Sequence, residues 1–240
     1  MKISLLCPTR GRPRNVVRMT ESVLHNASSN HETEIVFFVD NDDEETLNTV
    51  TDLRRAFGAQ VTGVRGDRNR NIAMMHNFCA KKASGDVLGL SDDDVVYRTS
   101  GWNDLVADAF AQYPDNIVLV YGRDGLHDAN HATHPFIHRT WMETTNYFVP
   151  EYFAGDYADT WLVDVARRIG RFHFIPELYT EHMHPAAAKA VWDSTYEERF
   201  ALQATQNPGQ KFLETAHERE ADAKKLIRKI AEYQLGKAKA

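Results

Sequence analysis

The sequence predicts an α/β domain: a central, mixed but mostly parallel sheet flanked by helices, followed by a C-terminal helical extension. Three observations carry that prediction. Apolar runs of strand length alternate with segments of helical period through residues 1–100. The run Glu-Ile-Val-Phe-Phe-Val at 34–39 is apolar enough for a central parallel strand buried on both faces. The runs end in loops dense in charge, and open α/β sheets bind ligands at the C-terminal ends of their strands. The expected division is a domain over 1–190, with halves at 1–100 and 101–190, and an extension over 191–240.

In chain order, residues 3–7 form the first strand. The loop Pro8-Thr9-Arg10-Gly11-Arg12-Pro13-Arg14 follows, then apolar residues at helical spacing over 15–26. A strand, a polar loop and a helix start make a usual phosphate or nucleotide site, and arginines hold diphosphates by paired hydrogen bonds. The loop has neither a dinucleotide glycine pattern nor a P-loop. The second strand ends in Asp40-Asn41-Asp42-Asp43-Glu44-Glu45. Asp40 there can accept from a ribose hydroxyl or a base N–H, while the later acids suit the start of a helix over 46–57. A third strand over 59–64 leads into a basic loop, Arg65 to Asn71, and a helix over 72–83.

Ser84-Gly85-Asp86 turns the chain into a strand over 87–90 that ends in Ser91-Asp92-Asp93-Asp94. Three adjacent carboxylates repel, and ionised carboxylates are rarely left unpaired near a core. A divalent cation would offset them, since Mg²⁺ takes one or two carboxylates plus substrate phosphates. A solvated acidic turn is the simpler reading of the same residues.

A helix over 103–112 and a strand over 117–121 come next. The loop 122–136 carries His127, His131 and His134, whose spacing matches no strong zinc pattern. It reads as a mobile acceptor or lid loop. Residues 136–140 and 147–150 read as extended. The segment 151–161, rich in aromatics and acids, opens a helix over 160–169, with Asp159 as its N-cap or as a general base facing a pocket. After a strand over 171–176, His182-Met183-His184 on an extended piece points both imidazoles to one face, where either can complete a carboxylate-rich metal site. Helices over 189–204 and 215–235 are broken apart at Asn207-Pro208-Gly209. The stripe Leu226, Ile227, Ile230 packs on the domain or on a second copy in a homodimer, and 237–239 is a frayed tail.

The 240 residues carry 28 basic and 34 acidic side chains, net −6, which argues against a dominant nucleic-acid surface. Cys7 and Cys79 give no disulfide framework and read as buried thiols of a reducing compartment. No apolar run reaches the ~18 residues that span a bilayer, and no signal-peptide pattern precedes the first strand. The expected location is the cytoplasm.

These pieces resemble a glycosyltransferase of the Rossmann-like GT-A fold, close to family 2. Ile3-Ser4-Leu5-Leu6-Cys7-Pro8-Thr9-Arg10 is similar to that family's first strand and loop. Val39-Asp40-Asn41 is similar to its second strand, where the Asp meets the nucleotide base. Ser84-Gly85-Asp86-Val87-Leu88 followed by Ser91 to Asp94 is similar to the approach to the DxD motif, with Gly101-Trp102 downstream. Asp156-Tyr157-Ala158-Asp159-Thr160-Trp161-Leu162 is similar to the late acidic segment that supplies the base in inverting members. His182 or His184 falls where GT-A enzymes place a histidine metal ligand. The likeness covers residues 1–190 and extends to glycosyltransferases encoded by bacteriophages. Ser91 stands where many relatives have the first Asp of the motif, so the DxD pair within Asp92, Asp93 and Asp94 stays open. The usual Glu-Asp pair is absent from the late segment, which leaves the base and the stereochemical outcome open.

The resemblance implies a donor-binding half at 1–100 and an acceptor half at 101–190. It implies transfer of a hexose from a nucleotide-sugar, UDP-sugar favoured, to a hydroxyl acceptor. Mn²⁺ or Mg²⁺ on Asp92, Asp94 and His182 or His184 would neutralise the leaving diphosphate. Pro8, Thr9, Arg10, Arg12, Arg14, Asp40, Asn41, Arg65, Asn71, Asp92, Asp93 and Trp161 would contact substrate. Asp159 or Asp156 would take the acceptor's proton. Three rivals are defined by what they would do. A nucleotidyltransferase wants more glycine after the first strand than Gly11. A non-catalytic nucleotide-sugar-binding module binds UDP with Mn²⁺ and never transfers. A metal-dependent phosphohydrolase needs no acceptor.

Overall fold

The computed structural model describes residues 1–238; Lys239, in the expected frayed tail, lies outside the described residues. The strands are β1 (Lys2–Thr9), β2 (Glu32–Asp40), β3 (Val61–Gly66), β4 (Val87–Leu90), β5 (Val95–Tyr97), β6 (Leu119–Arg123), β7 (Phe136–His138) and β8 (Phe172–His182). They form one sheet in the order β3-β2-β1-β4-β7-β6-β8-β5. β1 is parallel to β2 and β4, β2 to β3, and β6 to β8; β7 runs antiparallel to β4 and β6, and β5 antiparallel to β8. The sheet is therefore mixed and mostly parallel, as the apolar runs predict.

The helices are α1 (Pro13–Asn26), α2 (Glu44–Phe57), α3 (Ile72–Lys82), α4 (Trp102–Ala111), α5 (Arg139–Thr145), α6 (Ala158–Arg168), α7 (Ser194–Gln206), α8 (Pro208–Glu214) and α9 (Ala216–Lys237). Two hydrophobic clusters sandwich the sheet. On one face α1, α2 and α4 bury Val16, Val23, Val50 and Phe110 against Leu5, Ile35 and Phe37. On the other, α3, α5, α6 and α9 bury Cys79, Trp141, Trp161 and Leu226 against Leu6, Val36 and Leu88. Burial on both faces explains why β1 and β2 read as continuous apolar runs. Cys7 and Cys79 are both free and buried.

The strand register positions the functional end. Thr9 pairs with Val39, and Leu6 with Leu90. The first loop, Asp40 and the acidic run after Leu90 consequently leave the sheet at the same edge.

At the opposite edge, Glu34 is a buried carboxylate that ties β1, β2 and the 84–86 turn together. It accepts from Ser4 Oγ at 2.6 Å and from the Ser84 amide at 2.7 Å, and it pairs with Lys2 at 3.0 Å. A Cβ on Gly85 would lie 2.4 Å from Ser4 Oγ, so that turn requires glycine. Burial opposes ionisation of Glu34, but the hydrogen bonds from Ser4, Ser84 and Lys2 outweigh it and hold the carboxyl below its ordinary range. A carboxyl with a depressed folded pKa adds stability above its unfolded pKa and loses it as pH falls through the folded one. Glu34→Gln is therefore expected to lower stability at pH 7 by about 1–3 kcal/mol. In urea denaturation its deficit should shrink as pH falls below ~4.3.

Several elements differ from the sequence expectation. β8 continues past Pro176 to His182, because the register shifts between Gly122 and Arg123 and the proline lies in that irregularity, where no ladder donor is needed. The second half of β8 then pairs with β5, a strand that follows the acidic run directly. Of the stretch 136–140 read as extended, Phe136–His138 is β7 but Arg139 and Thr140 open a helix that runs to Thr145, with the His138 side chain accepting from the Thr140 amide and Asn146 closing the helix in the left-handed region at φ 73°. Pro208 starts α8 as well as ending α7, since proline suits a first helical turn. Asp159 is not an N-cap; Tyr157 holds that position and Asp159 sits in the first turn of α6. Of the C-terminal stripe, Leu226 is buried on the chain's own domain while Ile227 is 49% exposed. Among the described residues no helix is long and apolar enough to cross a membrane.

Candidate active site

The strand ends open into a cleft lined by Pro8, Thr9, Arg10, Arg12, Asp40, Arg68, Arg70, Asp92, Asp93 and Asp94, with Thr195, Tyr196, Glu198 and Arg199 of α7 across from them. The arginine-bearing first loop and the triple aspartate thus meet. Arg12 Nη1 lies 3.2 Å from Asp93 Oδ1 and 4.0 Å from Asp94 Oδ2.

The three aspartates point to different partners. Asp93 turns toward the first loop, accepting from Thr9 Oγ1 at 2.7 Å and from Arg12. Burial pushes its carboxyl up to about 7, with the Asp94 and Asp92 charges adding to the rise and Arg12 and Thr9 opposing it. Asp94 accepts from Tyr196 Oη at 2.5 Å and lies 3.3 Å from His182 Nε2. Asp92 is the most open of the three and lies 3.5 Å from His134 Nε2. Burial opposes ionisation at Asp92 too, yet the His134 imidazole holds its carboxyl below the carboxylate range.

Asp92, His134 and His182 offer ligand atoms that all lie within 4.8 Å of one another. Two pieces of local structure create that grouping. The β5–β8 register sets Val95 opposite His182, next to the acidic run. Asp124 knots the loop that carries His134: its Oδ1 accepts from the Leu126, His127 and Asp128 amides at 2.8, 2.6 and 2.9 Å, and its Oδ2 from Thr133 Oγ1 at 2.7 Å. Burial works against that carboxylate, but those donors keep it far below its usual range. The loop is therefore pinned, not a free lid, with Asp124, Ala132 and His134 buried. It also supplies His134, a member of that grouping which its histidine spacing does not advertise.

The residues fit a divalent cation. Both His134 ring nitrogens, His182 Nδ1 and Asp94 Oδ1 are buried without a hydrogen-bond partner, which is costly unless something else engages them. Two imidazoles and a carboxylate suit Mn²⁺ better than Mg²⁺, which prefers all-oxygen ligands. His184 lies outside the group. It caps the short turn at Pro185–Ala187, its Nδ1 accepting from the Ala186 amide at 3.1 Å, and its ring packs edge-on against Tyr196.

The other expected residues divide. Arg10 reaches Asp40 at 3.0 Å and pairs with Asp42, and Asp40 also accepts from the Asn69 amide at 3.1 Å, so both stay at the cleft. Arg14 is exposed on α1 and does not line the cleft. Asn41 and Arg65 bond each other at 2.8 Å beside the cleft rather than in it. Asn71 caps α3 through the Met74 amide. Trp161 is 1% exposed, a core residue of α6 packed near Arg219, because its position lies on that helix's apolar face. Asp156 is ion-paired with Arg199, and Asp159 Oδ2 lies 2.8 Å from His131 Nε2.

Sequence reasoning set His131 and His134 aside for want of a ligand spacing, and it missed the approach of α7. Asp193, the N-cap of α7, holds Arg12 through two oxygens at 2.9 and 2.8 Å; Tyr196 stacks under that guanidinium at 4.0 Å; Glu198 pairs with Arg68 and Arg70 at 2.7 and 3.1 Å. The one trace in the sequence was an acid-rich, aromatic stretch following the last strand.

The glycosyl transferase family 2 model matches residues 4–166. No curated protein matches the sequence. Among solved structures, TarS 1-349 of S. aureus in complex with UDP superposes with TM-score 0.60 at 14% identity over 75% of this chain and 60% of its own. The mannosyltransferase PcManGT from Pyrobaculum calidifontis, in complex with GDP-Man and Mn²⁺, gives 0.63 at 14% over 99% of this chain and 75% of its own. GalNAc-T7 with UDP, GalNAc and Mn²⁺ gives 0.64 at 13% over 76% of this chain and 44% of its own. This chain spans less than two thirds of the TarS and GalNAc-T7 chains. At these identities the likeness carries the fold, the GT-A fold the sequence pieces resemble.

Proposed function

Because this chain belongs to glycosyl transferase family 2, we propose that its cleft binds a nucleotide-sugar, with UDP-sugars first in line, and moves the sugar to a hydroxyl acceptor with inversion. The observation that carries the reading is the meeting, in one cleft, of the first-loop arginines and the triple aspartate, whose Asp92 also belongs to the Asp92–His134–His182 group. A diphosphate needs both kinds of partner at once. The Mn²⁺ complexes of PcManGT and GalNAc-T7 support the choice of ion.

Asp92, His134 and His182 would hold the cation, which when bound supplies Lewis-acid neutralisation of the leaving diphosphate. Arg12, with Arg68 and Arg70, would add charge-assisted hydrogen bonds to the phosphate oxygens. Asp40 would accept from the ribose or base. Asp159 would accept the acceptor's hydroxyl proton as the new carbon–oxygen bond forms and the bond to the diphosphate breaks, its electron pair leaving with the diphosphate. Asp159 is preferred over Asp156, which is committed to an arginine.

A thermal-shift panel of UDP, GDP, ADP, CDP and TDP, with and without Mn²⁺, tests this. One nucleotide is expected to raise Tm in the presence of Mn²⁺ and to do little without it; at 100 times Kd the stabilisation is about 2.7 kcal/mol. No cation-dependent shift with any nucleotide would sink the donor reading. Release of nucleoside diphosphate from the matching sugar nucleotide then separates a transferase from a binding module.

A further inference from the structure

The loop that delivers His134 to the cation group also delivers a second histidine that the donor chemistry does not use. His131 Nε2 sits 2.8 Å from Asp159 Oδ2. The other carboxylate oxygen, Oδ1, accepts from the Thr160 amide at 2.7 Å. Oδ1 also accepts from Thr160 Oγ1 at 3.3 Å and is filled, whereas Oδ2, with two acceptor sites, keeps one free. We infer that His131 is a positioning residue for Asp159, fixing the carboxylate's rotamer so that a free lone pair faces the acceptor hydroxyl.

The placement follows from the chain. His131 and His134 are three residues apart, so their Cα atoms are separated by at most ~11 Å. One short loop therefore carries both a partner of Asp159 and a member of the cation group. The imidazole is itself built in. Flanking backbone is anchored by Tyr121 Oη on the Ala129 carbonyl at 2.8 Å and by Arg167 on the Asn130 carbonyl at 2.8 Å. His127 packs edge-on against the His131 ring with centroids 5.7 Å apart. Ala132, the next residue, is buried in the core. A surface histidine meeting an acid by chance would not be clamped on both sides. His131 would act through Asp159 and would not itself touch the reacting atoms.

The inference rests on Asp159 being the base, and the test separates the two. His131→Ala, His131→Gln and Asp159→Asn are compared with wild type using the sugar nucleotide selected by the nucleotide panel, with Mn²⁺. UDP or the matching diphosphate is titrated calorimetrically into each. Glutamine can present its amide N–H near the position of Nε2. His131→Ala should lower kcat by ~10- to 100-fold with donor KM and nucleotide affinity unchanged, and His131→Gln should recover most of the loss. Unchanged kcat in His131→Ala would overturn the inference. So would a parallel loss of cation-dependent nucleotide binding, which marks a collapsed loop, or a glutamine variant no better than alanine. Full turnover in Asp159→Asn would instead remove the base assignment itself, and the inference with it.

Discussion

Asp92→Ala is expected to lose cation-dependent turnover by at least ~10³-fold while the protein stays folded. Three reasons set that size. Among the described residues Asp92 is the one carboxylate in the His134–His182 group, so its removal leaves two imidazoles to hold a dication. Its neighbours replace it poorly: Asp93 is committed to Thr9 and Arg12, and Asp94 spends Oδ2 on Tyr196, leaving only Oδ1 toward His182. The Lewis-acid contribution at stake is several kcal/mol, and each ~1.4 kcal/mol is tenfold in rate. Asp92 is also the least enclosed of the three, so cutting it back leaves no buried partner charge stranded. Turnover measured across a Mn²⁺ titration checks this, with circular dichroism as the control for folding. Wild-type rates at saturating Mn²⁺ would exclude Asp92 from the cation site.

Asp159→Asn is expected to lower kcat by ~10²–10⁴-fold, the usual reach of a well-placed general base. Asparagine keeps the shape and an acceptor for the Thr160 amide but removes the proton-accepting charge. Donor binding should therefore survive, because Asp159 does not line the donor cleft. Steady-state kinetics with calorimetric nucleotide binding separates the two effects. A variant that loses nucleotide affinity instead of kcat would assign Asp159 to structure. A matching loss in Asp156→Asn alone, with Asp159→Asn active, would move the base to Asp156 and require its pairing with Arg199 to open.

Much of the donor side was legible because one physical cause wrote it into contiguous sequence. Strands buried on two faces must be apolar throughout, so β1, β2 and β4 announce themselves, and polar loops at their ends are where a parallel sheet meets ligand. The acidic run after Leu90 and the arginines after Thr9 could be matched to one edge on that basis alone. The cation group resisted for the opposite reason. Asp92, His134 and His182 come from three distant stretches, and what unites them is strand register and the Asp124 knot, neither of which has a spacing signature. Trp161 illustrates a conflict between cues: the family resemblance of its segment implied substrate contact, whereas the helical period of α6 put it in the core. The two histidines of 182–184 shared a strand-like pattern, but the strand ends at the first of them, and the second turns to cap the next residues.

The carboxylates of α7 have a consequence for selectivity. Asp193 and Glu198 already satisfy Arg12, Arg68 and Arg70. An anion that needs the donors these acids hold has to displace them, and its apparent dissociation constant would then rise in inverse proportion to the share of molecules in which they have let go. A bare anion such as inorganic phosphate only trades one charged partner for another and gains little from the exchange. A molecule that also reaches the cation group and Asp40 gains contacts that α7 does not provide. Under the proposed function, keeping its own acids on its own arginines would let the chain discriminate against ligands that offer nothing but negative charge.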